Sequence, residues 1–512
     1  MASPIASEVA SGEAYLMYKI NVKKKIIIMK VSLSSYYAIR NDRQCSYIVR
    51  RDNLVEDTGG DSSVICIPPF MGFIFSELGK EDYANDLKRI SEITGMNISS
   101  IKSFTDQLIN NEKHKEFVLS ENLSIVFPKN ILVKDGDYEQ NRYYTVQDFS
   151  WDDDFHVARP SMPLSVNLMT TTKCTTNCRY CYAKRDLFPL LNVEELANLV
   201  EELHSNGVFN ISLTGGDIFA LENWHILLKK IKEYDYHPFL STKTPLKNDD
   251  IKLLSTIGVK ALQFSLDSND PVVLHELLGT SKEYIKNVET MFRLCDESDI
   301  ILHIRSVLTS LNGSIQQVKS FYDFLSSFNC IKGWTITPAF FSEYKQSEYK
   351  DLLVKNKELV EVYEFVKQSG HSFPIGLNKI NKDGYQLHRY DSVEDYVAKN
   401  QICMGNTTSL SILANGVCSV CEMLYDHDEY ILGDVRLASV KEIWNSKKAL
   451  ELYYMKQSVC SKKSPCSTCS EFQNCRSSYG KRVCYSDIAK TGLQKDYPDP
   501  RCPMSRGIDL LL

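Results

Sequence analysis

Three cysteines crowd into one loop, Cys174-Thr-Thr-Asn-Cys178-Arg-Tyr-Cys181, directly after the strand-like run Pro163-Leu-Ser-Val-Asn-Leu-Met-Thr-Thr. Thiols at this spacing can serve one metal centre together, and no fourth cysteine stands close by to complete it. Three thiolates suit three irons of a four-iron, four-sulfur cube and leave the last iron open to a substrate or cofactor. Ordinary zinc and ferredoxin patterns close their metal with a fourth ligand. A C-x3-C-x2-C loop therefore points to chemistry ahead of scaffolding, with zinc as the alternative on spacing alone.

A chain of 512 residues with 43% hydrophobic content has room for roughly three domains and a large core. Its net charge of -6 gives no general pull toward nucleic acid or an anionic membrane, so neither is expected as a partner. No apolar run of about 18 residues occurs, and the opening Met1-Ala-Ser-Pro-Ile-Ala-Ser-Glu lacks a basic start and an apolar core, which predicts a cytoplasmic protein. In that setting the 16 cysteines read as reduced metal ligands, not as a disulfide framework. Twelve of them lie in the first loop or after Ile402, whereas Cys45, Cys66, Cys295 and Cys330 stand alone as packing residues.

Residues 1–150 have their own character. Lys25-Ile-Ile-Ile-Met-Lys-Val-Ser-Leu, Cys45-Ser-Tyr-Ile-Val-Arg and Ser63-Val-Ile-Cys-Ile-Pro predict a small antiparallel sheet. Apolar residues at helical intervals follow at Phe73, Ile74 and Leu78, at Leu87, Ile90 and Ile93, and at Ile101, Phe104, Leu108 and Ile109, predicting three short helices, the third capped by Ser99 or Ser100. A hairpin around Glu121-Asn122 closes the unit, and a polar linker runs from Asp135 through Asp152-Asp-Asp. This is a winged-helix plan. It fits duplex DNA, a peptide added as a strand at the sheet edge, or a plain structural cap; the near balance of acidic and basic residues from Phe70 to Lys115 argues against DNA, and the peptide is the favoured reading.

Over residues 160–345 strand-like and helical segments alternate. Ser165-Val-Asn-Leu, Asn210-Ile-Ser-Leu, His237-Pro-Phe-Leu-Ser, Leu262-Gln-Phe-Ser-Leu, Leu302-His-Ile-Arg-Ser-Val-Leu and Trp334-Thr-Ile-Thr are six strands, separated by stripes such as Leu196, Leu199, Val200 and Leu203. Repeated β/α units give a parallel sheet with ligands at its C-terminal strand ends, where the cysteine loop falls. Thr214-Gly215-Gly216-Asp217 ends the second strand, Gln263-Phe-Ser265-Leu-Asp267-Ser268 the fourth, and His303-Ile-Arg305 lies on the fifth. Residues 346–400 bridge to the last region and carry no readable motif.

The loop, its position and these strand ends resemble the radical S-adenosylmethionine enzymes. The resemblance implies an α/β fold, a partial (β/α)6 barrel, with a [4Fe-4S] cluster on Cys174, Cys178 and Cys181 whose open iron binds S-adenosylmethionine. By the same resemblance Tyr180 contacts the adenine, the backbones of Gly215 and Gly216 with Asp217 meet the methionyl amine, Ser265 and Asp267 approach the ribose, and Arg305 pairs with the carboxylate. Asp217 stands where the family has Glu and is one methylene shorter. On the residues alone, the glycines are a β-to-α turn and Arg305 an ordinary surface cation.

Residues 401–512 hold the second cysteine array: Cys403, twelve residues to Gly416, four more to Cys421, then Cys466-x2-Cys469-x5-Cys475, Cys484 and Cys502. A hairpin with its turn at Asn415-Gly416 opens it. Zinc knuckles are one reading of such density. The array resembles the SPASM domain of peptide-modifying relatives, which implies two auxiliary clusters, one on Cys403, Cys421 and Cys484 and one on Cys466, Cys469, Cys475 and Cys502. Eight residues separate Cys475 from Cys484 where the family has three, and Cys418 or Cys460 could complete a ligand set. Glu422 matches a general base in relatives that oxidise a peptide side chain; its plain reading is an exposed hairpin carboxylate.

The expected function is radical maturation of a leader-bearing, ribosomally made precursor peptide, ending in a thioether or carbon–carbon crosslink, with flavodoxin or ferredoxin as electron donor and residues 1–150 as the leader-binding unit. A sulfatase-type, formylglycine-forming maturase is the alternative enzyme, and a zinc-binding transcription regulator the alternative of another class.

Overall fold

The computed structural model describes residues 29–42, 44–51, 64–120, 123–135, 158–345, 347–385, 390–477 and 481–505. The expected strand start at Lys25, the hairpin turn at Glu121-Asn122 and nearly all of the linker lie outside the described residues.

The N-terminal segments follow their patterns. Strands β1 (Val31–Leu33), β2 (Tyr37–Asn41), β3 (Ser46–Arg50) and β4 (Val64–Ile67) precede helices α1 (Pro69–Glu77), α2 (Tyr83–Thr94) and α3 (Ile98–Asp106), and β5 (Lys115–Ser120), β6 (Leu123–Phe127) and β7 (Leu132–Lys134) follow. β2, β3 and β4 form the antiparallel sheet, β5 and β6 the hairpin, and β1 pairs with β7. The cap of α3 differs from expectation: Asn97 supplies it, its side chain accepting from Ser99 N–H, because an Asn at N-cap reaches that donor from outside the helix while Ser99 is already within it. Phe73, Ile74, Leu87, Ile90 and Ile101 are buried in a core of this unit's own.

That unit is docked on the main body at one end of the barrel. The other sheet face, with Ala38, Tyr47 and Val49, packs on Leu164 and Phe209, residues that precede barrel strands. Arg40 Nη1 donates to Gly207 O at 3.1 Å, Asn210 Nδ2 to Arg50 O at 2.7 Å, and Arg51 pairs with Asp235 at 2.6 Å. All these contacts lie where barrel strands begin.

The barrel runs β8 (Ser165–Thr171), α4 (Val193–Ser205), β9 (Asn210–Gly215), α5 (Trp224–Glu233), β10 (Ser241–Thr242), α6 (Asn248–Ile257), β11 (Ala261–Ser265), α7 (Pro271–Leu278), α8 (Tyr284–Glu297), β12 (Ile301–Leu308), α9 (Ile315–Ser326) and β13 (Ile331–Pro338). α4 buries its Leu196, Leu199, Val200 and Leu203 stripe behind a capping box of Asn192 and Glu195. The third strand is shorter and later than its sequence suggests. Pro238 has no N–H for a ladder bond, so pairing begins only at Ser241. As a result β8 and β9 belong to one parallel sheet and β10 to β13 to another.

Each sheet gains strands from beyond the six β/α units. After α10 (Asn356–Val366), β14 (Ile375–Leu377) pairs parallel with β13, followed by the small β15 (Ile380–Asn381) and β16 (Gly384–Tyr385) pair and α11 (Val393–Lys399). β17 (Ser409–Ile412) pairs parallel with β8, and β18 (Val417–Ser419) and β19 (Ile431–Asp434) extend it antiparallel. The turn between β17 and β18 holds Gly416 at φ +85°, which suits glycine. The hairpin that opens the second cysteine array is thus part of the barrel's own sheet, and one core joins Val166 and Leu168 to Leu410, Ile412 and Trp444. Helices α12 (Val440–Trp444), α13 (Lys447–Tyr453) and α14 (Tyr485–Lys490) complete the chain. Among the described residues no helix is long and apolar enough to cross a membrane.

Candidate active site

The cysteine loop leaves β8 at its C-terminal end and is held from several sides. Asn177 N–H donates to Leu278 O at 2.8 Å and Arg179 N–H to Leu277 O at 3.0 Å, at the end of α7. Arg185 Nη1 donates to Thr176 O at 2.8 Å, and Ser342 Oγ to Cys181 O at 2.8 Å. Cys174, Cys178 and Cys181 line one cavity of about 530 Å³, within the roughly 300–1,000 Å³ of small-molecule sites. Burial pushes the Cys174 thiol up to about 12 against the pull of Arg185, and raises Cys178, which Lys243 eases. Three thiols on one cavity wall, with no fourth among its lining, are a soft donor set that suits iron with one position left open.

The same cavity is lined by Tyr180, Gly215, Gly216, Asp217, Ser265, Asp267, Arg305 and Glu422, every residue named for S-adenosylmethionine and for base catalysis. Their local settings differ from expectation in instructive ways. A Cβ on Gly216 would lie 2.1 Å from Lys173 O, and one on Gly215, at φ +107°, would lie 2.6 Å from Thr171 O. The missing side chains admit the backbone that leads into the cysteine loop, which Gly216 N–H and Asp217 N–H bond at Thr171 O and Lys173 O. These glycines therefore position the loop as well as line the cavity.

Asp217 is buried and its carboxylate is already occupied. Oδ2 accepts from Thr242 Oγ1 at 2.7 Å, Thr244 Oγ1 at 2.8 Å, Lys243 N–H at 3.0 Å and Thr244 N–H at 3.1 Å, and Oδ1 from Phe219 N–H at 3.1 Å. Asp267 is likewise filled: it takes Val307 N–H at 2.8 Å, Lys243 Nζ at 3.1 Å and the Tyr180 hydroxyl. Ser265 Oγ accepts from Gln263 and keeps its own hydrogen to give.

Lys243 was not legible as a site residue, because its strand was placed too early. Burial alone would lower its ammonium, but Asp267 and the cysteines outweigh this and hold it raised. Its charge is balanced. Arg305 is different: it opens to the cavity, stands 5.7 Å over the Phe239 ring, and has no acidic partner among the described residues. Of Lys243 and Arg305, Arg305 is the one with charge to offer a ligand carboxylate, while the third cation on the cavity wall, Arg185, is held on the Thr176 carbonyl of the cysteine loop.

Glu422 reaches the cavity from the C-terminal hairpin. Tyr182, directly after Cys181 and also missed by sequence reasoning, donates its hydroxyl to Glu422 Oε1 at 3.0 Å, while Oε2 is buried without a hydrogen-bond partner among the described residues. The carboxylate is half-buried, not exposed, and one oxygen remains for a proton.

The C-terminal cysteines fall into two groups. Cys466, Cys469, Cys475 and Cys502 line a second, small cavity of about 20 Å³. Cys403 lies within electrostatic reach of both Cys421 and Cys484. Cys418 is apart from them, fully buried in the barrel core with Asp434 and Glu202 as its charged neighbours. Cys460 packs beside Cys466 and Cys469 without lining their cavity. No group of three or more His, Cys, Asp or Glu among the described residues is drawn together around a single ion.

Comparison with known proteins finds two family matches. Residues 168–310 match the Radical SAM superfamily, and residues 403–475 match SPASM, an iron-sulfur cluster-binding domain. The chain is similar to the antilisterial bacteriocin subtilosin biosynthesis protein AlbA of Bacillus subtilis (strain 168), 25% identical over 150 residues, covering 28% of this chain and 34% of AlbA. It is also similar to GTP 3',8-cyclase of Clostridium perfringens (strain SM101 / Type A), 29% identical over 153 residues, covering 28% of this chain and 46% of the cyclase. The chain thus spans less than half of these curated relatives. The crystal structure of Streptococcus suis SuiB bound to precursor peptide SuiA shares the fold over 92% of this chain and 100% of that one, with a TM-score of 0.60 and 15% identity. The radical SAM domain binds S-adenosylmethionine and a [4Fe-4S] cluster, and the SPASM domain binds iron–sulfur clusters, which displaces the zinc-regulator reading. The chain carries a radical SAM superfamily domain over residues 168–310 and a SPASM domain C-terminal to it over residues 403–475.

Proposed function

We propose that this enzyme matures a ribosomally made precursor peptide by forming an oxidative thioether or carbon–carbon crosslink. The observation that carries the reading is Glu422, a carboxylate with one unpartnered buried oxygen, on the wall of the cavity that also holds Cys174, Cys178, Cys181 and Arg305. Proton removal is what closing a crosslink requires after hydrogen abstraction. SuiB bound to its precursor peptide and AlbA in bacteriocin biosynthesis support a peptide as substrate.

When bound and supplied with one electron, S-adenosylmethionine and its cluster would provide the radical hydrogen-abstraction chemistry that the reaction needs. In our reading, Arg305 holds the cofactor's carboxylate, Tyr180 and Ser265 meet its nucleoside, and the three cysteines hold iron. Glu422 accepts the proton released as the new bond closes, and the cysteine groups of the SPASM domain would hold the iron–sulfur clusters that take up the remaining electron. Tyr182 fixes the Glu422 carboxylate toward the peptide. The N-terminal sheet binds the leader, and a flavodoxin or ferredoxin supplies the first electron.

The test is anaerobic reconstitution followed by reaction with a candidate leader-bearing peptide, reductant and S-adenosylmethionine, read by mass spectrometry. Loss of a hydrogen pair with a new crosslink fragment supports the proposal. Loss of sulfur from a cysteine would assign the enzyme to formylglycine formation, and 5′-deoxyadenosine without any change in the peptide would remove the peptide substrate.

A further inference from the structure

The cavity formed by Cys466, Cys469, Cys475 and Cys502 contains a cation. Arg476 follows Cys475 in a π-helical turn, is 1% exposed and lines the cavity beside the four thiols. Its two terminal nitrogens are committed: Nη1 donates to Lys495 O at 2.6 Å and Nη2 to Tyr497 O. Nε is buried and has no partner among the described residues. The acidic side chain on that wall, Asp499, is taken by Arg501, which bonds both its oxygens at 2.8 and 2.7 Å. Arg476 is therefore a buried guanidinium with no carboxylate ion pair among the described residues, a costly arrangement unless another negative charge faces it.

Four thiolates around an iron–sulfur cube supply such a charge, since the assembly is anionic in both common oxidation levels and more so after reduction. Net charge and N–H donors at the sulfurs are among the main determinants of a cluster's potential. We propose that Arg476 is a positioning residue for the auxiliary cluster on Cys466, Cys469, Cys475 and Cys502, its fixed counter-charge and Nε–H donor, which raises that cluster's reduction potential. The inference rests on the reading that these four cysteines hold a cluster. A raised potential makes this centre the better sink for the electron that leaves the peptide. The two carbonyl bonds keep the guanidinium from swinging away, so the charge is present at all times and needs no protonation event.

The experiment uses the full chain, reconstituted without oxygen, with Cys174, Cys178 and Cys181 changed to Ala so that only auxiliary clusters contribute. Iron per chain and an EPR-monitored redox titration are compared for this parent, Arg476→Gln and Arg476→Lys. The signal of interest is the one that disappears in Cys466→Ala. The expected result is unchanged iron, a midpoint shifted to more negative potential in Arg476→Gln, and a midpoint nearer the parent in Arg476→Lys. Full iron with an unshifted midpoint in Arg476→Gln overturns the proposal. Equal loss of the cluster in Gln and Lys variants also overturns it, assigning Arg476 to scaffolding. A parent whose iron is unaffected by Cys466→Ala shows that the premise has failed, whatever Arg476 does.

Discussion

Asp217 and Thr242 bridge the seam between β9 and β10, consecutive barrel strands that do not pair. The Asp217 carboxylate accepts the Thr242 hydroxyl at 2.7 Å, and the same oxygen takes the backbone of Lys243 and Thr244. β9 ends one sheet and β10 begins the other, so this carboxylate does what a ladder of backbone bonds does elsewhere. Charge-assisted bonds are strong enough for that, and burial keeps water from competing.

Asp217→Ala is accordingly expected to destabilise the chain by about 3 kcal/mol, since several donors lose a buried acceptor. Asp217→Glu also destabilises, because the longer side chain cannot fit the same donors. Denaturant unfolding of the cluster-free chain measures both. A Glu variant that is as stable as wild type and binds S-adenosylmethionine more tightly would show that Asp217 serves the ligand instead.

Arg305 and Lys243 are expected to respond differently. Loss of a charged hydrogen bond worth roughly 1.5–3 kcal/mol weakens S-adenosylmethionine binding about tenfold or more in Arg305→Gln, with iron content unchanged. Lys243→Met leaves the Asp267 charge buried and uncompensated, at a cost to stability of roughly 3–5 kcal/mol. Equilibrium binding and unfolding, run on both variants, separate the roles.

Removing the proposed base is expected to uncouple the two halves of the proposed reaction. Glu422→Gln is expected to lower crosslink formation about a hundredfold or more, the usual range for a general base, while 5′-deoxyadenosine still forms in the presence of peptide. Tyr182→Phe should have a smaller effect, since it loses only the bond that orients Glu422. Chromatography of nucleoside and peptide from the same reaction is the measurement. Equal loss of both products would remove Glu422 from the proton transfer.

The proposed docking of the leader on the N-terminal sheet would set a minimum substrate length. The sheet is anchored where barrel strands begin, at Leu164 and Phe209, and the cysteine loop lies where they end. β8 alone, at seven residues, spans about 23 Å at roughly 3.3 Å per residue. Peptides whose leader and modified residue are separated by fewer than about seven extended residues should bind yet not react, which a deletion series read by binding and by mass spectrometry will test.

The core thiols give a pH dependence. Burial lifts Cys295 from an ordinary value near 9 to about 12. Below pH 9 folded and unfolded chains both keep this proton and the full stability is present. Above it the unfolded chain releases the proton first, so stability falls between about pH 9 and 12, by about 1.4 kcal/mol per unit. Unfolding of the cluster-free chain across that range should show a shallower fall in Cys295→Ala.

Local spacing made much of this molecule legible. Cysteines three and two residues apart must share a loop, a stripe such as Leu196, Leu199, Val200 and Leu203 must face a core, and Asn415-Gly416 must turn. The cysteine loop, five of the six barrel strands and the hairpin to Glu422 follow from such rules. What eluded sequence reasoning lay across long separations: the shortened β10 with Lys243, the pairing of β17 with β8, and the capture of Asp217 by Thr242.

The sequence by itself determined which chemistry the chain could hold, because thiol number, spacing and the glycine–aspartate turn are local properties of the chain. Only the tertiary structure decided how the charges are shared. Lys243 is neutralised by Asp267 and Arg305 is not, Glu422 keeps one oxygen free, and Arg476 is buried among thiols. Those outcomes depend on which distant side chains reach each other in a low-dielectric interior, where a few ångströms decide whether a charge is balanced or left for a ligand.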